Sequence, residues 1–413
     1  MQFQRVKGTR DVYPPESIIR EELEKRAIGI LKNAGFKPIR IPTFEHTELY
    51  LRSTGETSDI VIKEMYTFKD KGGRSLTLRP EGTPGVIRAI IENNLKIPAR
   101  FYYIASMFRQ ERPQKGRLRE HYQIGVEVVG EKEPEVDAEL IYIGKKILET
   151  LNVKDLKVEI NSVGCPGCRE EFKKNLLKYL EDKRDKLCDD CKRRLSTNPL
   201  RVFDCKKSSC QKVYEKSPKI TQYLCEECKS HFEGVKKALS FLGIEFFLNP
   251  KLVRGLDYYT RTVFEIKSNK LGAQNTVLAG GRYDNMFCEL GGNPTPAIGF
   301  AFGEERVILA SEGIEYKEKN FLYIIPLGEE AIKIALDFLK KIREKNINSL
   351  VDYSLKKLSS KLKKADRLGA RYVLIIGEDE IDKKEALLRD MNTGKQVWIP
   401  FKKLVKHLET LDL

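Results

Sequence analysis

Two stretches decide the fold: Ser106–Gly130, SMFRQERPQKGRLREHYQIGVEVVG, and Leu252–Glu265, LVRGLDYYTRTVFE. Each reads as a strand whose polar face carries arginines, carboxylates and tyrosines where a core strand would carry apolar side chains. In the first, alternation along Met107–Glu111 and His121–Val128 sets Arg109, Gln123 and Glu127 on solvent- or cleft-facing positions of an antiparallel pair. The link between the two runs, Arg112-Pro113-Gln114-Lys115-Gly116-Arg117, is basic and turn-rich. Such a platform suits a ligand with phosphate or carboxylate at one end and hydrogen-bonding groups at the other. Arginine offers a planar fork to oxyanions, while glutamine and glutamate read donors. One such segment alone would equally serve as a solvated sheet face laced with ion pairs.

Working outward, 413 residues are too many for one ordinary core, and two or three domains are expected. The 75 basic and 60 acidic residues leave a net charge of +15, which fits a polyanionic partner such as RNA and also occurs in lysine-rich thermophilic proteins. No apolar run approaches the roughly 18–20 residues that cross a bilayer, and Met1–Arg5 begins no signal peptide, so a cytoplasmic protein without membrane contact is expected. In that reducing compartment nine cysteines are not a disulfide framework.

The chain divides by composition. Over 1–163, helical patterns at Glu16–Asn33 and Pro134–Leu151 alternate with β-rich runs at Lys37–Ile41, Tyr66–Phe68, Ser75–Arg79, Arg100–Phe108, His121–Val129 and Leu156–Val163. Over 164–243 the style changes to charged helices holding eight of the nine cysteines. The β-rich, glycine-rich style resumes over 244–318, with a final helix near Glu304–Glu312. A resumption of that kind predicts one discontinuous domain interrupted by an inserted one. After the polar linker 316–320, residues 320–413 alternate strands (Phe321–Pro326, Ser349–Tyr353, Tyr372–Gly377, Glu385–Asp390, Lys395–Pro400) with helices (Glu329–Lys345, Leu355–Leu368, Phe401–Leu411). That pattern predicts a small α/β domain around a mixed sheet.

The usual phosphate loops are absent: no GxxxxGK[ST], and no GxGxxG opening a helix. There is no HExxH, and His46-Thr47-Glu48 lies too far from Cys165-Pro166-Gly167-Cys168 to make a nucleobase deaminase. A phosphate site here has to be built from arginines on strands. Arg79-Pro80-Glu81-Gly82-Thr83 closes one strand ahead of a helix over Pro84–Asn93. Glu81 and Thr83 there could hold an ammonium group, although Thr83 before a first-turn proline reads first as an N-cap. Gly299–Arg306 is a strand of alternating glycines running into a helix, small enough for a flat ligand to lie on its backbone or for a helix to pack closely.

Taken together, these pieces resemble the class II aminoacyl-tRNA synthetases, and within them the histidyl-tRNA synthetase family. The resemblance covers essentially the whole chain. Gly35–Thr54, with Pro42 ending a strand Ile39–Ile41, looks like the first class motif; Phe108–Glu127 looks like the second and Gly299–Arg306 like the third. More specific are the stretches Thr77–Thr83, Glu111–Arg117, Leu252–Tyr259 and Ala279-Gly280-Gly281-Arg282-Tyr283-Asp284. The resemblance implies an α+β fold, with an antiparallel-sheet catalytic domain (1–163 and 244–318), an inserted mostly helical domain (164–243) and a C-terminal α/β anticodon-binding domain (320–413). It also implies a homodimer.

The reaction implied is the joining of histidine to its cognate tRNA through histidyl-adenylate, with ATP and Mg²⁺. Arg109 would clamp the α-phosphate and the histidine carboxylate, Arg254 would reach the same phosphate from the other side, and Arg306 would hold the γ-phosphate and flank the adenine. On this expectation three guanidinium groups stand on three rigid strands. By the same resemblance Glu127 and Tyr259 would read the imidazole nitrogens with Tyr258 and Tyr283 beside them, while Glu81, Thr83 and Gln123 receive the α-amino group. Arg112, Gln114 and Arg117 would meet the tRNA acceptor end. From residue 320 onward 19 basic residues face 14 acidic ones, a net of +5, which suits RNA.

The cysteines fall as Cys165-x2-Cys168, Cys188-x2-Cys191, Cys205-x4-Cys210 and Cys225-x2-Cys228. Eight thiols at this spacing suffice for two tetrahedral zinc sites, and also admit reduced core thiols or one site of four. Some relatives lack them, so any zinc is expected to be structural and unconnected with the chemistry. Two other functions fit parts of the sequence. A regulatory subunit of ATP phosphoribosyltransferase shares the catalytic fold but should lack the C-terminal domain and have eroded arginines. A zinc-dependent RNA-binding module would leave the Arg-Glu-Tyr constellation without a purpose.

Overall fold

The computed structural model describes residues 3–413 apart from 56, 57, 59, 115, 206, 273, 274 and 317–319. Lys115 of the basic link and the middle of the linker 316–320 lie outside the described residues. The chain forms two compact units, Met1–Glu315 and Tyr316–Leu413.

The first unit is built on an eight-stranded sheet. Its order is Lys37–Pro38, Ala99–Phe108, Glu120–Val129, Ala297–Gly303, Thr276–Arg282, Thr260–Ser268, Leu156–Ser162, Phe246–Leu248. The inner six strands are antiparallel, and only the outermost pair on each side is parallel. Alternation gives this sheet two different faces. Ile124, Val126 and Val128, with Ile298, Phe300, Phe302, Phe264 and Ile266, point into an apolar cluster. It is covered by the helices Glu16–Asn33, Pro134–Thr150 and Glu226–Phe241. The first of these buries Arg20, Leu23, Ala27 and Leu31, one helical stripe. Each Leu, Ile or Phe so buried contributes roughly 1.5–3 kcal/mol. The opposite face carries Gln123, Gly125 and Glu127 beside Gly299, Ala301 and Gly303, and is paved with small residues.

Two strands are shorter than the sequence suggests. Leu252–Glu265 is not a strand throughout: the strand begins at Thr260, and 252–259 is an irregular segment. Its carbonyls are taken by side chains and not by a ladder. Arg201 Nη2 donates to Gly255 O at 2.9 Å, and Arg169 Nη1 donates to Asp257 O at 3.3 Å and Tyr259 O at 3.0 Å. Likewise Ile39–Ile41 is not a strand. The buried Arg79 donates to Ile41 O at 2.7 Å and Pro42 O at 2.9 Å, groups that a longer ladder would need. Phe44–His46 instead joins Ser75–Leu78 and Tyr66–Lys69 in a small separate sheet.

Residues 164–243 fold as helices at Pro166–Glu181, Asp189–Thr197, Ser208–Glu215 and Glu226–Phe241, with short 3-10 turns between them. The first three enclose an apolar cluster of their own, containing Phe172, Leu176, Cys191, Cys205 and Cys210. The second unit is a mixed five-stranded sheet of order Ser349–Val351, Leu322–Pro326, Tyr372–Ile376, Glu385–Asp390, Gln396–Pro400. Its first three strands are parallel, its last three antiparallel, and an apolar cluster lies on each face. Its helices Glu329–Glu344, Leu358–Arg367 and Phe401–Leu408 are joined by a short one, Glu378–Lys383, which sequence reading missed. Its signal was local: Glu380 accepts from the Gly377 N–H at 2.8 Å.

Candidate active site

The site stands on the small-residue face of the sheet, where Glu127 lies opposite Gly299 and Gly299 opposite Gly281. A Cβ on Gly299 would fall 1.9 Å from Glu127 Oε2, and one on Gly281 would fall 2.8 Å from the Tyr259 ring. Gly299 therefore makes room for a buried carboxylate.

Two carboxylates are buried here. Thr83 Oγ1 donates to Glu127 Oε1 at 2.7 Å, and the Tyr283 hydroxyl donates to Oε2. Glu81 accepts from Thr54 at 2.8 Å on Oε1 and from Tyr258 at 2.8 Å on Oε2. Three rings wall the pocket. Tyr258 and Tyr259 lie 4.6 Å apart, and Tyr283 meets Tyr258 edge-on at 5.7 Å. Burial pushes the Glu127 carboxyl up to about 8, against the downward pull of the Tyr283 and Thr83 hydroxyls. Burial also raises Glu81, against Thr54, Tyr258 and the nearby Arg109. Two carboxyls held this way favour an incoming cation or N–H donor that restores their charge.

Thr83 is not the N-cap that local sequence suggests. Gly82 holds that position, and Thr83 begins the helix Thr83–Glu92 with its hydroxyl proton given to Glu127. The hydroxyl lone pairs then remain to accept from an ammonium group.

A cavity of about 580 Å³ opens beside this pocket, lined by Arg109, Arg254 and Arg306 together with Gln123, His121 and Glu265. The three guanidinium groups do converge, but not from three strands. Arg109 follows the end of one strand, Arg254 belongs to the irregular segment, and Arg306 is in the first turn of the helix Glu304–Ala310. Arg109 Nε donates to Pro80 O at 2.8 Å, Arg306 Nε donates to Thr276 O at 3.0 Å, and Arg254 pairs with Glu265. Burial, then the positive Arg109, depresses His121 to about 3, so its imidazole is neutral at physiological pH. Arg117 and Gly116 reach the rim of the cavity. Arg112 and Gln114 are exposed on the same link, and Gln114 and Arg117 exchange backbone hydrogen bonds at 3.0 and 2.9 Å.

Sequence reasoning missed Thr54, the neutral His121 and the Glu265 partner of Arg254. Glu265 had a signal: with Val263 and Lys267 it occupies alternate positions of one strand face. Thr54 had none, since it meets Glu81 only through the fold.

The eight paired cysteines assemble as two quartets, Cys165, Cys168, Cys225 and Cys228, and Cys188, Cys191, Cys205 and Cys210. Within each the sulfurs all lie within 4.8 Å of one another. Cys165 and Cys168 are 3.5 Å apart and Cys188 and Cys205 3.9 Å. These separations exceed a disulfide's roughly 2.05 Å. They bracket the about 3.8 Å edge of a tetrahedron with 2.3 Å metal–sulfur bonds. Backbone N–H groups of Cys225, Cys188 and Lys207 point at Cys168, Cys210 and Cys205 sulfurs. Cys288 belongs to neither quartet and is exposed.

Known proteins resemble this chain over its whole length. Residues 8–307 match the family model described as histidyl-tRNA synthetase, and residues 322–411 match that of an anticodon binding domain. A histidine–tRNA ligase of Halothermothrix orenii is 46% identical over 418 residues, covering 100% of both chains. One from Thermotoga maritima is 47% identical over 406 residues, 97% of this chain and 96% of that one. The crystal structure of apo S. aureus histidyl-tRNA synthetase superposes with a TM-score of 0.84 at 36% identity, covering 99% of this chain and 100% of the other.

Proposed function

We infer the function from one premise: the chain belongs to the histidyl-tRNA synthetase family. It is an aminoacyl-tRNA ligase that uses ATP to attach histidine to its tRNA through histidyl-adenylate. The observation that carries the mechanism is the convergence of three arginines on one cavity beside a pocket of buried carboxylates and tyrosines.

In the first step the histidine carboxylate attacks the α-phosphorus and pyrophosphate leaves. The enzyme must hold two anions together and neutralise charge growing on the phosphoryl oxygens. Arg109 and Arg254 take the α-phosphate from two sides, with Arg109 also on the histidine carboxylate. Arg306 takes the γ-phosphate and flanks the adenine. ATP enters as its Mg²⁺ complex, for which Glu111, Glu265 and Glu305 are the carboxylates facing the cavity. Glu127 accepts from one imidazole nitrogen and Tyr259 partners the other, with Tyr258 and Tyr283 closing the sides. Glu81, Thr83 and Gln123 receive the ammonium group. An amino acid lacking the imidazole would strand these buried groups unpaired.

The division of labour follows the composition: catalysis by 1–163 with 244–318, an inserted domain at 164–243, and anticodon recognition by 320–413. Arg112, Gln114 and Arg117 meet the acceptor end of the tRNA. The chain works in the cytoplasm; no helix of the described residues is long and apolar enough to cross a membrane. It pairs as a homodimer through Gly35–Thr54, where Phe44 is exposed. Sedimentation as a monomer at micromolar concentration would contradict that. Each cysteine quartet has the donor chemistry of a structural zinc site.

A regulatory subunit of ATP phosphoribosyltransferase would be expected without the C-terminal domain and with eroded arginines, the reverse of what is found. Histidine-dependent exchange of pyrophosphate into ATP tests the reaction. Arg254→Ala should lower exchange by roughly 10²–10³-fold while histidine Kd changes only a few-fold. Unchanged exchange would refute the role given to Arg254.

A further inference from the structure

Arg254, Tyr258 and Tyr259 stand on an irregular segment, yet transition-state stabilisation requires them to be held in place before the substrate arrives. No ladder does this. Asn161 holds Leu252 O at 3.0 Å and Thr54 O accepts from the Asp257 N–H at 3.3 Å, while the carbonyls and carboxylate around Arg254 and Tyr258 are gripped by three side chains from 164–243. Arg169 donates to Asp257 O and Tyr259 O at 3.3 and 3.0 Å. Asn198 Nδ2 donates to Asp257 Oδ1 at 2.8 Å, and Arg201 Nη2 donates to Gly255 O at 2.9 Å.

Each of these three side chains lies close in sequence to a cysteine quartet. Arg169 follows Cys168 at once, in the first turns of the helix that Cys165 caps. Asn198 ends the helix that Cys188 caps and that carries Cys191, and Arg201 belongs to the short 3-10 run that ends at Cys205. The first quartet is also tied to the sheet. Gly164, whose Cβ would fall 2.6 Å from Cys168 Cβ, accepts at 2.9 Å from the N–H of Arg261, the second residue of the strand that continues the segment. Its second pair opens the helix Glu226–Phe241, whose His231 meets Asp137 at 2.9 Å. Asp137 in turn holds Arg282, the neighbour of Tyr283.

We propose that the two thiolate quartets are zinc-held anchors for the segment Leu252–Tyr259, and that through Arg169, Asn198 and Arg201 they position the residues that bind and activate histidine. This replaces the expectation that any zinc is unconnected with the chemistry. The quartets differ in what they govern. The first, through Arg169, holds the carbonyls on either side of Tyr258 and so sets the histidine pocket. The second, through Arg201, holds the carbonyl next to Arg254 and so sets the phosphate contact. Arg169 and Arg201 are positioning residues and touch neither substrate.

The inference rests on the ligase reading, and one set of measurements separates the two. Zinc content, histidine Kd and the kinetics of pyrophosphate exchange are measured on the full chain and on Cys165→Ser/Cys168→Ser, Cys188→Ser/Cys191→Ser, Arg169→Ala and Arg201→Ala. The wild type should carry two zinc ions per chain and each double variant one. Cys165→Ser/Cys168→Ser and Arg169→Ala should raise histidine Kd and KM at least tenfold with KM for ATP within twofold. Cys188→Ser/Cys191→Ser and Arg201→Ala should lower kcat at least tenfold with histidine Kd within threefold. Arg169→Ala and Arg201→Ala retain both metal sites, so their effects stand even where a cysteine variant does not fold. Wild-type protein without zinc overturns the proposal, as does iron in its place by absorption spectrum. So does unchanged histidine Kd in Arg169→Ala together with unchanged kcat in Arg201→Ala. Absence of histidine-dependent exchange in the zinc-loaded wild type would instead overturn the ligase reading.

Discussion

Glu127→Gln separates burial from charge in the pocket proposed for histidine. The wild-type carboxyl is displaced from an ordinary value of 4.5 to about 8, chiefly by burial. At about 1.4 kcal/mol per pH unit, its ionised form is disfavoured by about 5 kcal/mol. Because the folded value lies above the unfolded one, the contribution of this group to stability is complete below pH 4.5. It is lost progressively as pH rises through about 8. Glutamine has nearly the same shape and no charge. At pH 5, where the wild-type carboxyl is protonated and neutral like the carboxamide, it should cost no more than about 1 kcal/mol, the worth of one hydrogen bond re-made to the Thr83 or Tyr283 hydroxyl. By pH 8.5 the wild type has surrendered about 4–5 kcal/mol, and the variant should be the more stable of the two by about 3 kcal/mol. Denaturant unfolding at pH 5, 7 and 8.5 without histidine measures the difference, in which every other titration cancels. Tyrosine near-ultraviolet dichroism is the signal to follow, because the one tryptophan, Trp398, lies in the second unit and reports on that unit. The variant should also bind histidine roughly 10–150-fold more weakly at pH 8.5, the worth of one charge-assisted hydrogen bond. Stability curves running parallel across pH would refute the assigned burial of charge, and unchanged histidine affinity would refute the role in imidazole recognition.

Gly299→Ala places a methyl 1.9 Å from Glu127 Oε2 and 2.4 Å from the carbonyl of Val126; the carboxylate must leave its position. Histidine Kd, read by calorimetry, should rise more than tenfold at a stability cost of about 1–3 kcal/mol. Asp137→Leu strips the fully buried Arg282 guanidinium of one of its two carboxylates, leaving Asp284 at 3.2 Å, and His231 of its partner. An uncompensated buried charge costs about 3–5 kcal/mol, and with Asp284 still paired to Arg282 the loss should fall at or below the lower end of that range, read by thermal unfolding of the first unit.

The regular elements were legible because their signals are local. The stripe Arg20, Leu23, Ala27 and Leu31 fixes a helix, and alternation through Ile124–Val128 fixes a strand and its two faces. Reading failed where side chains replaced the ladder. Leu252–Tyr259 has the composition of a strand, but Arg169 and Arg201 take its carbonyls from more than fifty residues away. Thr83 looks like an N-cap until Glu127, 44 positions on, accepts its proton. The cysteine spacing announced four pairs and could not say which joined which.

By itself the sequence determined the chemical types gathered in this protein: arginines, carboxylates, tyrosines and paired thiols. It also determined the amphipathic periods that build the sheet and the helices covering it. Only the tertiary structure decided that Arg109, Arg254 and Arg306 share one cavity, that Gly299 gives way to Glu127, and that the eight paired thiols gather into two quartets. Periodicity acts over a few residues, where backbone geometry repeats. Convergence of distant side chains depends on which strands pair and in what register, and burial then sets the charge each of them carries.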